Sequence, residues 1–472
     1  MNATTTDTSK RVPASDVGMG VESSCRLPLM VLFVSALSWL LLATVFGLIA
    51  SLKFHMPQFL AATPNLTYGR VTALQADCAL YGFALQAGIA FILWLFVRMG
   101  RTPAESPIMM TLVASFYNFA ITIGVIGVLC GDSTGFQNFE FPAYAAWTMW
   151  ISYIVMGIIA ILTYSNRDEQ QTYPSQWFGL TSLLWFAWIC ATALLLLLER
   201  PVRGVVQSSI NWWYVHNLHT IVLGFTGLAA IFYFIPKLLG RTLYSRQLAL
   251  FSFWTLALFG SWGAVPNGAP LPAWIPAMST VGIVFTAIPV IAIVLNIWQT
   301  VRGHHERLDS SWPLKFTYVG LMFWIIASVH LIVGAVPAVS SLTDFTWFTV
   351  AQKNLWVYGF FALTMFGAMY YAIPRVTGIE WPCNKMISAH FWLTFGGVIL
   401  SYIALLVGGI AEGYLLTSSQ NSFVVVLKTA LTAIRISTMG DLLLVLGQIA
   451  GLLNLLLLVA RVACRELRIT KS

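Results

Sequence analysis

Asn211-Trp212-Trp213-Tyr214-Val215-His216-Asn217 opens an apolar run that closes on Tyr233-Phe234-Ile235-Pro236-Lys237. No Asp, Glu, Lys or Arg interrupts it before Lys237. A helix rising about 1.5 Å per residue over this run crosses the roughly 30 Å hydrocarbon core of a bilayer. The same reading recurs at 28–52, 72–97, 107–130, 142–164, 174–198, 247–265, 275–300, 312–337, 346–373, 387–414 and 432–463, which makes twelve spans. With 58% hydrophobic and 9% charged residues, the chain is too apolar for a soluble globule of its length. The expected fold is all-α and polytopic, a twelve-transmembrane-helix bundle.

Orientation follows from Lys and Arg, which are retained on the cytoplasmic side during insertion. Placing both termini there puts eighteen of the 25 basic residues on the cytoplasmic side and seven on the other. The formal charge of +8 is then a matter of topology and anionic lipid headgroups, with no nucleic-acid role. Residues 1–24 read as a mobile cytoplasmic tail, 25–466 as one membrane domain and 467–472 as a cytoplasmic C-terminal tail. The longest irregular stretches, 53–71, 131–141, 199–210, 265–274, 338–345 and 415–431, all fall on the opposite face, where a partner would dock. The six cysteines stand singly, with no Cys-x-x-Cys, so they offer neither a zinc knuckle nor a covalent c-type haem site.

Several motifs in order carry a resemblance. Tyr68-Gly69-Arg70 leads into the second span, and the Trp212–Asn217 stretch opens the sixth. Leu271-Pro272-Ala273-Trp274 precedes the eighth, and Tyr371-Ala372-Ile373-Pro374 closes the tenth. His390-Phe391-Trp392-Leu393 opens the eleventh, which runs on to Gly409-Ile410-Ala411-Glu412-Gly413. From residue 67 to 414 the chain resembles subunit I of the cbb3-type, or C-family, haem-copper cytochrome c oxidases. The resemblance implies a low-spin haem held by histidines of the second and tenth spans. It also implies a high-spin haem on another histidine of the tenth, and copper on three histidines of spans six and seven.

Aligned on those motifs, this sequence has Gln75 at the first haem position, Gln352 and Asn354 at the tenth-span pair, and Ala264 and Val265 at the adjacent copper pair. Only His216 keeps an imidazole, and Leu258 falls where the family has its cross-linked tyrosine. Imidazole suits haem iron and copper, whereas a carboxamide is a poor ligand and Ala and Val offer no donor. The expectation is therefore no metal site and no catalytic residue of the oxidase type in this chain.

Other polar groups have a plainer role beside each functional one. His216 and His219 share a helix face and could form half of a metal site, with His330 as a third nitrogen; hydrogen bonding across the bundle is the plainer role. His55, His304 and His305 read as solvated, and His390 as an interface residue. Ionisable residues inside spans are costly and so are functional candidates. Asp77 and Lys353 could pair in the emptied haem pocket, or snorkel to the headgroups, and Asp441 could serve proton transfer or a quinone headgroup.

The leading expectation is a haem-free subunit I relative that anchors a respiratory electron-transfer complex in the bacterial inner membrane, with haem in a c-type cytochrome or other redox partner. The alternative is a quinol-binding subunit in which Gln75, Gln352, Asn354 or His216 contact a quinone in the vacated pocket. A divergent haem-copper or nitric oxide reductase with unusual ligands is a further class. Solute transport would call for inverted repeats or interrupted spans, and neither is evident.

Overall fold

The structure is a computed structural model and describes residues 20–469. Of the two tails expected from the sequence, only 20–24 and 467–469 fall among these residues. The main helices are α1 (Arg26–His55), α2 (Tyr68–Gly100), α3 (Pro107–Cys130), α4 (Ala143–Ser165), α5 (Pro174–Glu199) and α6 (Val205–Leu239). They continue with α7 (Arg246–Gly260), α8 (Trp274–Val301), α9 (Trp312–Ala335), α10 (Trp347–Thr377), α11 (Asn384–Leu416) and α12 (Phe423–Ile469). Among the described residues eleven are long and apolar enough to cross a membrane, and the shorter α7 completes the set.

Three spans differ most from their expected bounds, the sixth by beginning at Val205 instead of Asn211. The seventh, expected at 247–265, stops at Gly260 after 15 residues, or about 22 Å. Gly260, Gly263 and Pro266 break it, and Ala264 sits in the turn at φ 127°, a conformation L side chains rarely adopt. The twelfth, expected at 432–463, begins at Phe423 and runs to Ile469, because no Gly or Pro between 423 and 431 interrupts it. The C-terminal tail expected from 467 therefore starts as helix.

Three helices form the centre. The apolar windows of α2, α6 and α10 are 100%, 100% and 94% buried, against 39–50% for the others, which are free to face lipid on one side. A helix that is apolar all round belongs in such a position. α6 and α10 end alike, each with a proline in its last turns (Pro236, Pro374) and a left-handed glycine just after (Gly240 at φ 68°, Gly378 at φ 66°). That pairing caps the final carbonyls and forbids continuation.

At the opposite end from the long loops, residues 20–24 are tied down instead of trailing as a tail. Glu22 is buried, accepts hydrogen bonds from Trp94 Nε1 (3.1 Å) and Arg98 (2.6 Å), and lies 3.4 Å from Arg375 Nε. These contacts bind the entry to α1 onto α2 and α10.

Candidate functional site

One face from each of several helices lines a cavity of about 280 Å³ near the long-loop end of the bundle. α1 supplies Gly47, Ala50, Ser51 and Phe54, α2 supplies Tyr68, Thr72 and Gln75, and α10 supplies Trp347, Val350, Lys353, Asn354, Val357 and Tyr358. These spacings of three and four are single helix faces. His219 of α6, Leu405 of α11, Asp441 of α12 and the loop residues Gln137 and Asn138 complete the wall.

Gln75 is held at this position by a small residue opposite it. A Cβ on Gly47 would lie 3.0 Å from the Gln75 carboxamide, so glycine at 47 is what lets α1 close on that side chain. The Tyr358 hydroxyl interacts with the same carboxamide. Wider π-helical turns follow the site positions on all three central helices, at Cys78–Ala84, Leu218–Leu223 and Leu355–Phe361. Such turns shift the register of a helix by one residue and concentrate at functional sites.

Of the four residues singled out from the sequence, Gln75 and Asn354 converge on the cavity, while Gln352 and His216 stand elsewhere. Gln352 is two residues from Asn354, about 200° around the helix, and so points away. His216 Nε2–H donates to the main-chain carbonyl of Gly260 (2.8 Å), and its ring lies where a Cβ on Gly263 would fall (2.4 Å). Asn217 donates to the carbonyl of Ser261 (3.2 Å), so the opening of α6 grips the turn that carries Ala264 and Val265. His219 donates through Nδ1 to Val215 (2.8 Å) and presents its ring to the cavity. His330 does not join them and meets the Tyr402 hydroxyl at 3.1 Å. His390 is buried between α10 and α11, with Nδ1 2.8 Å from the Tyr370 hydroxyl.

The acidic groups are arranged differently from the sequence expectation. Asp77 is fully buried and faces Glu140 of the α3–α4 loop, with no ion pair to Lys353 among the described residues. Burial raises the Glu140 carboxyl above its ordinary range. Lys353 turns into the cavity, where Glu140 is the charge that acts on it. The Tyr81 hydroxyl donates to the Asn138 carbonyl and accepts from the Tyr214 hydroxyl (2.8 Å), which fixes the loop that forms the cavity rim. Glu140 and the hydroxyl network escaped sequence reasoning, because loop-to-helix contacts across 57 residues leave no local pattern.

Haem and copper would need a donor set that these positions do not supply. Ala264 and Val265 have no donor atom, His216 spends its Nε2 on a main-chain carbonyl, and Gln75 and Asn354 offer carboxamides. The residues present do not fit a haem-copper centre of the oxidase kind. They make a polar, aromatic-walled cavity with one ammonium, one carboxyl, one imidazole and several amides.

The sequence model of the family described as Cytochrome C and Quinol oxidase polypeptide I matches residues 28–443. The chain is 26% identical over 390 residues to a cytochrome c oxidase subunit 1 homolog of Azorhizobium caulinodans, covering 80% of this chain and 71% of that protein. It is 25% identical to the Cbb3-type cytochrome c oxidase subunit CcoN1 of Stutzerimonas stutzeri, covering 79% of this chain and 81% of that one. It is 26% identical to a cytochrome c oxidase subunit 1 of Rhodobacter capsulatus, over 74% of this chain and 68% of the relative.

Proposed function

The chain belongs to the Cytochrome C and Quinol oxidase polypeptide I family, and from that premise we propose that it is the membrane platform of a respiratory electron-transfer complex whose haem resides in a c-type cytochrome partner. The observation that carries this reading is the survival of the framework without its ligands. α2, α6 and α10 remain the buried centre, although the positions that would hold metals carry Gln75, Gln352, Asn354, Ala264 and Val265. A subunit kept for assembly retains its packing and loses its donors in this way. On this reading both termini lie in the cytoplasm of a bacterial cell, and the long loops face the periplasm, where the cytochrome docks.

A quinol-binding role is favoured by a separate observation, the convergence of Gln75, Asn354, His219 and Lys353 on one cavity walled by Phe54, Tyr68, Trp347 and Tyr358. Mostly apolar walls with a few converging polar groups suit a quinone headgroup.

Isolation of the native complex separates the two roles. The platform role predicts a covalent c-type haem in a co-purifying subunit, and its absence from every co-purifying subunit contradicts that role. The quinone role predicts extractable quinone that Gln75→Leu removes and Gln352→Leu, away from the cavity, leaves in place. Equal quinone in both variants contradicts it.

A further inference from the structure

A row of hydrogen-bonding side chains leads from the cavity to the face that bears the long loops. Asp441 lines the cavity together with Ser51 and accepts from Ser401 Oγ (3.4 Å). Ser51 Oγ lies 2.6 Å from Thr438 Oγ1, which lies 3.1 Å from His55 Nε2. His55 ends α1 at the loop face and is half-exposed. Ser51 and His55 are four apart on α1, and Thr438 and Asp441 three apart on α12, so the row is one contact line between two helices.

We propose that His55, Thr438, Ser51 and Asp441 form a proton-transfer path joining the buried cavity to the aqueous phase on the long-loop face. Each link can both give and take a proton. With His55 Nε2–H donating to Thr438, Thr438 to Ser51 and Ser51 to Asp441, a proton arriving at His55 Nδ1 moves each hydroxyl hydrogen one place inward. Asp441 becomes the neutral acid, and His55 returns to neutrality as its other tautomer. No electron moves. Outward transfer runs the same steps in reverse, beginning with a proton given to the Asp441 carboxylate by a hydroxyl in the cavity.

Three further observations support a path over a passive cluster. Thr438 has an alternative resting acceptor, the Ile434 carbonyl at 2.8 Å, so one hydroxyl rotation makes or breaks the row. At the loop end of the cavity, Phe54 packs on Tyr68 (5.9 Å between ring centres) and edge-on to Trp347 (5.4 Å). These rings stand next to the hydroxyl row, since Phe54 lies between Ser51 and His55 on α1. An acid at this depth costs several kcal/mol unless it has a use or a partner, and Asp441 meets only hydroxyls. The titratable and charged groups facing the two ends are Arg435 of α12 beside His55 and Tyr358 of α10 beside Asp441, and Lys353 and His219 share the cavity. The path relies on the quinone reading only for what is protonated in the cavity, and its own test needs no quinone.

The test uses the full chain reconstituted in phosphatidylcholine bilayers in acidic buffer. The carboxyl stretch removed by Asp441→Asn is followed by infrared spectroscopy as the medium is switched from H₂O to D₂O. Thr438→Val keeps the side-chain shape and should slow deuteration of that band by about tenfold or more. His55→Gln, at the surface, should slow it similarly, and Ser401→Ala, off the row, should leave it unchanged. If Thr438→Val is poorly folded, His55→Gln decides alone. Deuteration at the unaltered rate in both path variants would assign Asp441 to water in the cavity and overturn the proposal. So would the lack of any band that Asp441→Asn removes.

Discussion

Gly409→Val is expected to prevent the bundle from assembling. A Cβ at 409 would lie 2.0 Å from the Phe348 main-chain nitrogen and 2.7 Å from its Cα, so no rotamer change relieves the clash. One turn later, a Cβ on Gly413 would lie 2.0 Å from the Leu342 carbonyl oxygen. Glycines four apart let α11 meet the start of α10 and the short helix Pro337–Thr343 at backbone distance, a small-residue crossing of the kind membrane helices use. Glu412, between them, accepts from the Trp347 amide (3.1 Å) and fixes where α10 begins. The expected loss exceeds about 4 kcal/mol, since main chain must move against main chain. Size-exclusion chromatography in detergent should show aggregate in place of a monodisperse peak, with Gly409→Ala intermediate. Gly396→Ala is the control, because its added Cβ meets only Leu443 at an ordinary 3.9 Å.

Glu22→Ala should cost about 3 kcal/mol of stability, because removing one partner of a buried ion pair strands the other. Glu22 side-chain exposure is 1%, and Arg98 and Arg375 retain 23% and 35%, so their partial hydration keeps the loss at the low end of the range for buried pairs. Trp94 Nε1 also loses its acceptor. The thermal midpoint should fall, with Glu22→Gln, which keeps an acceptor, falling less. A second reading comes from Cys25, buried beside Glu22, whose thiol burial pushes up to about 12. Freed from its anchor, the segment should expose Cys25 to maleimide labelling, and unchanged labelling would show that Glu22 does not hold it.

The helices were legible because each needs only its own apolar run. Helix ends were less so. The seventh span stopped early at Gly260 because a glycine and proline cluster outweighed an apolar sequence, and α12 started early because nothing broke it. Within the site, Gln75 and Asn354 were found through the resemblance. Helical geometry alone could have set Gln352 apart from Asn354, just as it separates Asp77 from Gln75. The partner of Asp77 could not be read, because Glu140 reaches it from a loop and no periodicity links them. The same holds for Ser51 and Thr438, which touch across 387 positions, and for Glu22, assigned to a tail because its partners lie on other helices. The spacing of Gly409 and Gly413 was on the page, and its meaning waited on knowing which backbone lay opposite.

An oxidase framework persists here without the oxidase donor set. The haemochrome spectrum and copper content of the purified chain, freed of any cytochrome partner, test it most directly. No b-type haem and no copper are expected in a chain that is folded and monodisperse. A b-type signal near one haem per chain would contradict it and would mean that ligands other than Gln75, Gln352 and Asn354 hold the iron.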